Sequence, residues 1–380
     1  MTEAILIAAQ SGRALAEAAR RAGLRPFVAD LFGDADTLEI AEAHRPLPGA
    51  FGSGRIGGGA VLAALDDLAA QAGTRPLGVV LGSGFEGAPD LMAAIAARFP
   101  LLGAAPDTVA QLKDPLRLAA LCAELAIPHP AVRLDPVADP ESWLCKRVGG
   151  SGGSHIRRAG RGSAPPGAYF QARVPGRPHA LNLLSDGREI RVLALTEQWC
   201  APSRLRPFRY GGALARGRDE PDPVPPAIRA EIAAAMARLV ARTGLKGLAS
   251  ADCLIAEDRW WLTEINPRPG ATLDVLDRRA SPLLGAHIAA SLGKMPAPDP
   301  DPVDAAAAEI CYAGRDFAPV PAFAWPAHVR DRPRPGTAVR RDAPLCTVLA
   351  TGPETGATKD RLRTRIAALR AAIAQEDAPG

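Results

Sequence analysis

Between positions 249 and 274 the chain reads ASADCLIAEDRWWLTEINPRPGATLD. Two apolar runs flank Glu257-Asp258-Arg259, which predicts a β-hairpin with a three-residue loop. That register sets Asp252 directly opposite Glu264. Glu264 and Asn266 are two residues apart and share one face of their strand. Three oxygen-bearing side chains therefore converge on one side of a two-stranded ribbon. Directly opposed carboxylates are destabilising unless something neutralises them. A hard divalent cation does so, and Mg²⁺ is typically held by one or two carboxylates plus substrate phosphates. Asp252, Glu264 and Asn266 are the candidate metal ligands, with Mg²⁺ as the ion and Mn²⁺ as its alternative. The competing reading is an ordinary hairpin with solvent-facing polar residues. A register slip of one residue would turn one strand's side chains to the other face.

A second candidate segment, residues 143–156, reads WLCKRVGGSGGSHI. A predicted strand presents Lys146, and Gly149, Gly150, Ser151, Gly152 and Gly153 follow as a loop. Glycines let backbone N–H groups approach phosphate oxygens without interference from Cβ. Lys146 can add its charge to the same phosphates. The lysine precedes the glycines and no GK[ST] follows, so this is not a Walker loop. No helix opens after it, so it is not a dinucleotide fingerprint either. The alternative is a Gly-rich surface hairpin. No side chain of the tract is large enough to pin it, which predicts a mobile lid. Only five of the 45 basic residues are lysines. A lysine offers a compact, flexible point charge that arginine does not copy. Cys145 beside Lys146 reads as a packed strand residue in preference to an activated thiol.

These residues sit in a chain of 380 residues, long enough for two or three units. Hydrophobic residues make up 47%, ample for buried cores. A net charge of +4 lacks the basic bias of a nucleic-acid binder. No apolar run reaches the ~18 residues of a membrane span. The first nine residues read as an apolar strand without a basic leader, and the six cysteines are scattered without a CxxC. Both point to a cytoplasmic protein with reduced thiols.

The elements that must position the candidates are legible in outline. Residues 4–9, 25–29 and 77–81 read as strands; 14–22, 60–72 and 89–98 read as helices. That alternation predicts a small parallel α/β domain ending near residue 103. The loop Gly82–Glu86, with Ser83 and Gly84 as candidate contacts, lies at the carboxyl end of a parallel strand, where an open α/β sheet takes small ligands. Residues 104–134 read as mainly helical and carry Lys113, which on its own is an ordinary solvated lysine. Residues 143–148, a run from 154, 169–174, 180–184 and 190–196 read as antiparallel strands, with a turn at Gly187. A helix is predicted over 228–243, stopped by Gly244. Pro/Asp-rich stretches at 217–226 and 296–302 read as linkers. Beyond them come strand-like pieces at 309–313, 337–340 and 346–349, then a helix over 359–375. Arg191, Arg209 and Tyr210 are further candidates for substrate contacts, each with a structural role as its alternative.

Taken together, the two candidate segments resemble those of the ATP-grasp superfamily, which includes biotin carboxylase and D-alanine–D-alanine ligase. The resemblance follows the chain in order: a Rossmann-like opening, a helical lysine (Lys113), a strand lysine before a glycine loop, the hinge-like FQARVPG of residues 170–176, the Asp…Glu-x-Asn hairpin, and Arg268 after it. It implies an α/β fold with a Rossmann-like domain (1–103), an ATP-grasp lobe with the glycine loop (104–170), an ATP-grasp lobe with the metal hairpin (171–295), and a small β-rich C-terminal module ending in a helix (296–380). Residues 333–352 look like the closing module of biotin carboxylase-like members. It also implies that Lys113 and Lys146 contact ATP phosphates and that Arg268 stabilises the transferred phosphoryl group. The hinge departs from the family pattern. It carries Gln171 where a Glu is common, and His179 is the next polar side chain; the backbones of Ala172 and Val174 are left to serve adenine. The lysine order Lys113-Asp114-Pro115 also departs from the usual Asp-Lys.

The implied activity is ATP- and Mg²⁺-dependent activation of a carboxylate as an acyl phosphate, followed by attack of an amine. EINPRPGATLDVLD and PFRYGGAL look like the tyramine–glutamate ligases of methanofuran synthesis, in one-carbon cofactor biosynthesis. The partners implied are a small carboxylate and a small amine, with a homo-oligomeric assembly and neither nucleic acid nor membrane. A non-catalytic ATP/ADP sensor and a biotin carboxylase-like carboxylase remain the alternatives.

Overall fold

A computed structural model describes residues 2–49, 56–297 and 299–376. The first sheet is parallel, in the order β3-β2-β1-β4, built from β1 (Ala4–Ala8), β2 (Arg25–Asp30), β3 (Ala43–Pro46) and β4 (Val79–Leu81). All five residues of β1 are buried. A continuous apolar run is what a strand covered on both faces requires. The covering helices are α1 (Arg13–Arg21), α2 (Ala35–Ile40), α3 (Gly58–Gln71) and α4 (Pro89–Ala96). The sequence pattern does not anticipate α2 and β3. Both are short, and β3 is an edge strand without an apolar alternation.

The helical stretch after residue 104 divides into α5 (Pro106–Lys113) and α6 (Pro115–Glu124). Asp114 makes the break, its carboxylate accepting the N–H groups of Leu116 and Arg117. Pro115 takes the first position of α6, where its missing donor does no harm. The consequence is that Lys113 is the last residue of α5, aimed out of a helix end.

The second sheet is antiparallel, in the order β5-β8-β6-β7, from β5 (Val132–Arg133), β6 (Trp143–Arg147), β7 (Ile156–Arg158) and β8 (Ala168–Ala172). The glycine tract links β6 to β7. The third sheet has eight strands: β9 (Arg177–Asp186), β10 (Ile190–Cys200), β11 (Tyr210–Ala215), β12 (Lys246–Ala256), β13 (Arg259–Asn266), β14 (Ala305–Tyr312), β15 (Val329–Arg330) and β16 (Pro344–Gly352). Their order is β13-β12-β9-β10-β11-β14-β16-β15. The strands beyond residue 300 thus continue the sheet that carries the β12–β13 hairpin, through the β11–β14 pair. Residues 337–340 form no strand; Val339 makes a single bridge to Phe317.

The helix α7 (Pro226–Thr243) ends on Gly244 at φ +65, a left-handed cap. The helices α8 (Leu273–Leu276) and α9 (Leu283–Ser291) follow the hairpin. The closing helix α10 (Thr355–Glu376) buries Leu362, Ile366, Leu369 and Ile373, the stripe read from the sequence. Among the described residues no helix is long and apolar enough to cross a membrane.

Candidate active site

The hairpin β12–β13 pairs Asp252 with Glu264 and Ser250 with Asn266, as the sequence predicts, but by another route. The loop between the strands holds two residues, Glu257 and Asp258, and the register near it runs Ala256 with Arg259 and Cys253 with Leu262. Carried on unbroken, that register would oppose Asp252 to Thr263 and send Glu264 to the other face. A β-bulge at Thr263 inserts one residue and restores the pairing. The Thr263 hydroxyl donates to the carbonyl of Asp252 across it, at 3.0 Å.

The Asn266 amide nitrogen donates to Asp252 Oδ2 at 3.0 Å, which leaves Asn266 Oδ1 facing the other way. There the Lys113 ammonium meets Asn266 Oδ1 at 3.4 Å, the Ile265 carbonyl at 3.1 Å and Glu264 Oε1. Lys146 lies 3.9 Å from Glu264 Oε2 and donates to Gln171 Oε1 at 3.2 Å. Both lysines are buried. Burial raises the pKa of Glu264, but Lys113 and Lys146 outweigh it and hold the group down at about 2. Burial, then the Glu264 charge, push Asp252 up to about 6. The pair therefore carries a carboxylate held ionised beside one that resists ionisation until a further cation arrives.

Glu264 and the Asn266 amide oxygen meet the Lys113 ammonium, and Asp252 is tied to Asn266 through the amide nitrogen, so the hairpin offers two carboxylates and one amide oxygen. Among the described residues no cluster of three or more His, Cys, Asp or Glu is placed to hold a metal. A hard ion such as Mg²⁺, which completes its shell with phosphate oxygens and water, is the kind that such oxygen donors would suit.

The glycine tract is held by more contacts than its sequence suggests. The Gly152 carbonyl accepts the Tyr210 N–H at 2.9 Å, and the Ile156 N–H returns to the Gly153 carbonyl at 3.1 Å. A Cβ on Gly153 would stand 1.9 Å from the Phe208 carbonyl oxygen, and one on Gly149 would stand 2.4 Å from Gly87 Cα. The His155 ring fills the space beside Gly150 and its Nδ1–H donates to the Ser151 carbonyl at 3.3 Å. The tract is thus seated against Gly87 and against the strand entering at Tyr210, and the Gly150 N–H donates to the Arg147 carbonyl at 3.3 Å.

Arg268 extends from the chain just past β13. Its Nε donates to Glu86 Oε1 at 2.7 Å, and the Gly84 N–H donates to the other oxygen at 2.6 Å. Glu86 is buried, yet Arg268 and Lys113 hold its carboxyl below the usual range. The sequence points to the Gly82–Glu86 loop but to Ser83 and Gly84 as its contact residues, and not to the role of Glu86 as the partner of Arg268. Gly84 itself, at φ +109, is packed against Gln10 and Ile56 and serves the loop's shape.

These residues open onto one cavity of about 340 Å³. Lys146, Ser151, Gly152, Gly153, His179, Asp252, Glu264 and Asn266 line it, together with Ser83, Tyr210 and Arg268. Lys113, Gly149, Gly150 and Gln171 border a smaller hollow on the far side of Glu264. The same cavity is lined by a cluster the sequence does not disclose. Buried Arg13, at the start of α1, holds Asp274 with both terminal nitrogens and Asp331 with Nε at 2.9 Å. Thr347 donates its hydroxyl to Asp331. Tyr312 and Trp199 complete the wall.

Several of the candidates for substrate contact or nucleotide binding are placed elsewhere. Arg191 lies on β10 and donates to the Pro296 carbonyl, outside the cavity. Arg209 is buried beneath it, donating to the carbonyls of Ala201 and Asp342 and stacking over the Tyr312 ring at 3.5 Å. Ala172 spends its N–H on the Ala131 carbonyl at 2.8 Å, so that donor is not offered to an adenine edge. Val174 follows β8 and is not part of the cavity wall. His179 does line the cavity, its Nδ1–H donating to the Arg177 carbonyl at 3.0 Å.

Residues 114–272 match the model of the ATP-grasp domain. No curated protein matches this sequence. Among solved structures, the chain is similar to the biotin carboxylase domain dimer of Hydrogenobacter thermophilus 2-oxoglutarate carboxylase, in complex with MgADP, ADP and bicarbonate. The TM-score is 0.69 at 13% identity, over 96% of this chain and 89% of that one. It is likewise similar to biotin carboxylase from Campylobacter jejuni in complex with βγ-ATP, with a TM-score of 0.69 at 12% identity, over 96% and 90% of the chains. N5-carboxyaminoimidazole ribonucleotide synthetase from Thermus thermophilus gives 0.65 at 18% identity, over 94% and 96%. At these identities the likeness is one of fold. The hairpin, the lysines and the glycine loop all lie within or beside the matched segment, and the chain has the ATP-grasp fold, with its ATP-grasp domain at residues 114–272.

Proposed function

We propose that the protein is an ATP- and Mg²⁺-dependent ligase that activates a carboxylate as an acyl phosphate and joins it to an amine. The observation that carries this reading is the single cavity lined by two groups of opposite character. One gathers Lys146, the glycine-loop backbone and the oxygen ligands of a divalent cation, the equipment for polyphosphate. The other sets two carboxylates, Asp274 and Asp331, against one guanidinium. Its net charge is negative, which favours an ammonium group and disfavours a second anion. Arg268 lines the same cavity.

In this reading a carboxylate oxygen attacks the γ-phosphorus of ATP, and the bond to the ADP oxygen breaks. The amine nitrogen then attacks the acyl carbon, loses a proton, and inorganic phosphate leaves. Mg²⁺ held by Asp252, Glu264 and Asn266 would neutralise phosphate oxygens. Lys113, Lys146 and Arg268 orient the anions and screen the charge that develops, so positioning and electrostatics supply most of the catalysis. The two tracts resembling tyramine–glutamate ligases, together with the acidic cluster, support an amine of the cationic, carboxylate-free kind and a place in one-carbon cofactor biosynthesis.

The test is phosphate release with ATP and Mg²⁺ over a panel of amino acids crossed with aryl and alkyl amines. The expected result is release that requires both a carboxylate and an amine. Release with bicarbonate alone would turn the reading toward a carboxylase. Nucleotide binding with no release under any combination would turn it toward a sensor.

A further inference from the structure

The ammonium of Lys113 stands among the oxygens that a divalent cation needs. Its three partners are Glu264 Oε1, Asn266 Oδ1 and the Ile265 carbonyl. Two of them belong to the candidate metal ligands. The arrangement is built in from both sides. Asn266 is locked by its bond to Asp252, which turns Oδ1 toward the lysine. Lys113 is held at the end of α5, where Val109 and Leu112 are buried and Asp114 begins the next helix. Lys146 differs: its closer partner is Gln171, and it reaches Glu264 only at 3.9 Å.

An ammonium and a divalent ion cannot share one set of oxygens. Unlike a water molecule, the ammonium is tethered to its helix and cannot diffuse away, and at separations of about 3–4 Å the repulsion between the two cations is large in a partly buried site. A nucleotide changes the balance, because its phosphates offer Lys113 another anionic partner and bring further ligands for the metal.

We propose that Lys113 is an internal counter-ion that competes with the divalent cation for the Glu264–Asn266 oxygens, so that the metal enters only together with nucleotide phosphate. The need for a nucleotide rests on the functional reading above; the competition itself does not. Two consequences follow. Metal and nucleotide bind with positive coupling, and removing the ammonium uncouples them, raising the affinity for metal alone while weakening nucleotide.

The experiment is Mn²⁺ binding to the full chain, followed by the electron paramagnetic resonance signal of free Mn²⁺, with and without a non-hydrolysable ATP analogue. The wild type should bind Mn²⁺ weakly alone and at least about tenfold more tightly with the analogue. Lys113→Met should bind Mn²⁺ alone about tenfold more tightly than the wild type does. Lys146→Met should show little gain. Adding Glu264→Gln to Lys113→Met should abolish the gain and so locate the ion. Lys113→Gln, which keeps a hydrogen-bonding side chain without the charge, repeats the test should the methionine variant fold poorly. The proposal is overturned if both folded Lys113 variants bind Mn²⁺ alone no better than the wild type. It is equally overturned if the wild type binds Mn²⁺ as tightly without the analogue as with it while Lys113→Gln shows no gain. A gain in the variants with no effect of analogue on the wild type would support the competition and count against the nucleotide reading.

Discussion

Glu86 and Arg268 are 182 positions apart in the chain and joined by a 2.7 Å hydrogen bond from the guanidinium Nε to a carboxylate oxygen. The carboxylate is anchored in turn by the Gly84 N–H. A loop of the N-terminal domain therefore aims the arginine that the ATP-grasp domain extends into the cavity. Nη1 turns back toward the Pro269 carbonyl at 3.4 Å, which leaves Nη2 to face an anion. Glu86→Gln keeps the shape and removes the charge. It is expected to lower turnover by roughly 10²-fold, the scale of a misplaced catalytic group, with nucleotide affinity little changed. Steady-state kinetics beside calorimetry would check this. Equal losses in nucleotide affinity and turnover would show that Glu86 supports the fold rather than the arginine.

Glu264→Gln is expected to abolish Mg²⁺-dependent ATP turnover. The structure adds a second expectation. Glu264 neutralises Lys113 and stands near Lys146, so it is not the free surface charge that a hairpin alone would suggest. Removing it leaves buried ammonium groups short of a partner, and stability should fall by about 3–5 kcal/mol. Urea unfolding beside the kinetic assay measures both. Near-normal turnover in the folded variant would sink the metal assignment.

Gly153 has φ +67, and a Cβ there would press into the Phe208 carbonyl. Gly153→Ala should lift the glycine tract from its seat without touching the β12–β13 hairpin. The expected result is weaker nucleotide binding and lower turnover, with thermal stability almost unchanged. Hydrogen exchange should show lost protection at the Tyr210 amide, which the tract holds through Gly152. Unaltered exchange at that amide would mean that the loop accommodates the methyl group in place.

Three histidines make the fold sensitive to acid. Burial lowers the pKa of His129, His155 and His287 to about 4. His287 accepts the Leu248 N–H at Nδ1 and donates from Nε2 to the Leu102 carbonyl, so it bridges two domains only as the neutral ring. An unfolded histidine takes up its proton near pH ~6.5. Below that value the unfolded chain binds more protons than the folded one, and stability falls as pH drops from about 6.5 toward 4. Above about pH 7.5 these groups should leave stability flat. Urea midpoints at about pH 5 and about pH 7.5 measure the effect, and His287→Gln should reduce its size. Asp34 and Asp252, whose carboxyls burial raises to about 9 and about 6, act in the opposite sense, so the deciding comparison is between proteins: the same pH dependence in the wild type and His287→Gln would contradict the linkage.

The β12–β13 hairpin is legible because its signal is local. Alternation of period two puts Glu264 and Asn266 on one face, and a turn between two apolar runs brings Asp252 opposite. Yet a uniform three-residue loop and a two-residue loop with a bulge at Thr263 both lead to that pairing, and only the folded strands choose between them. The glycine tract announces its backbone but not its seat, because Gly87 and Phe208 reach it from elsewhere in the chain. Arg191 and Arg209 look alike in the sequence as exposed-type cations; packing buries Arg209 beside Tyr312 and ties Arg191 to Pro296. The acidic cluster of the cavity is the extreme case. Arg13, Asp274 and Asp331 come from three remote segments, and none sits in a pattern that marks it. Local spacing determines which side chains share a face of a strand or helix. Which faces meet depends on long-range burial, and a charge cluster assembled that way leaves no periodicity along the chain.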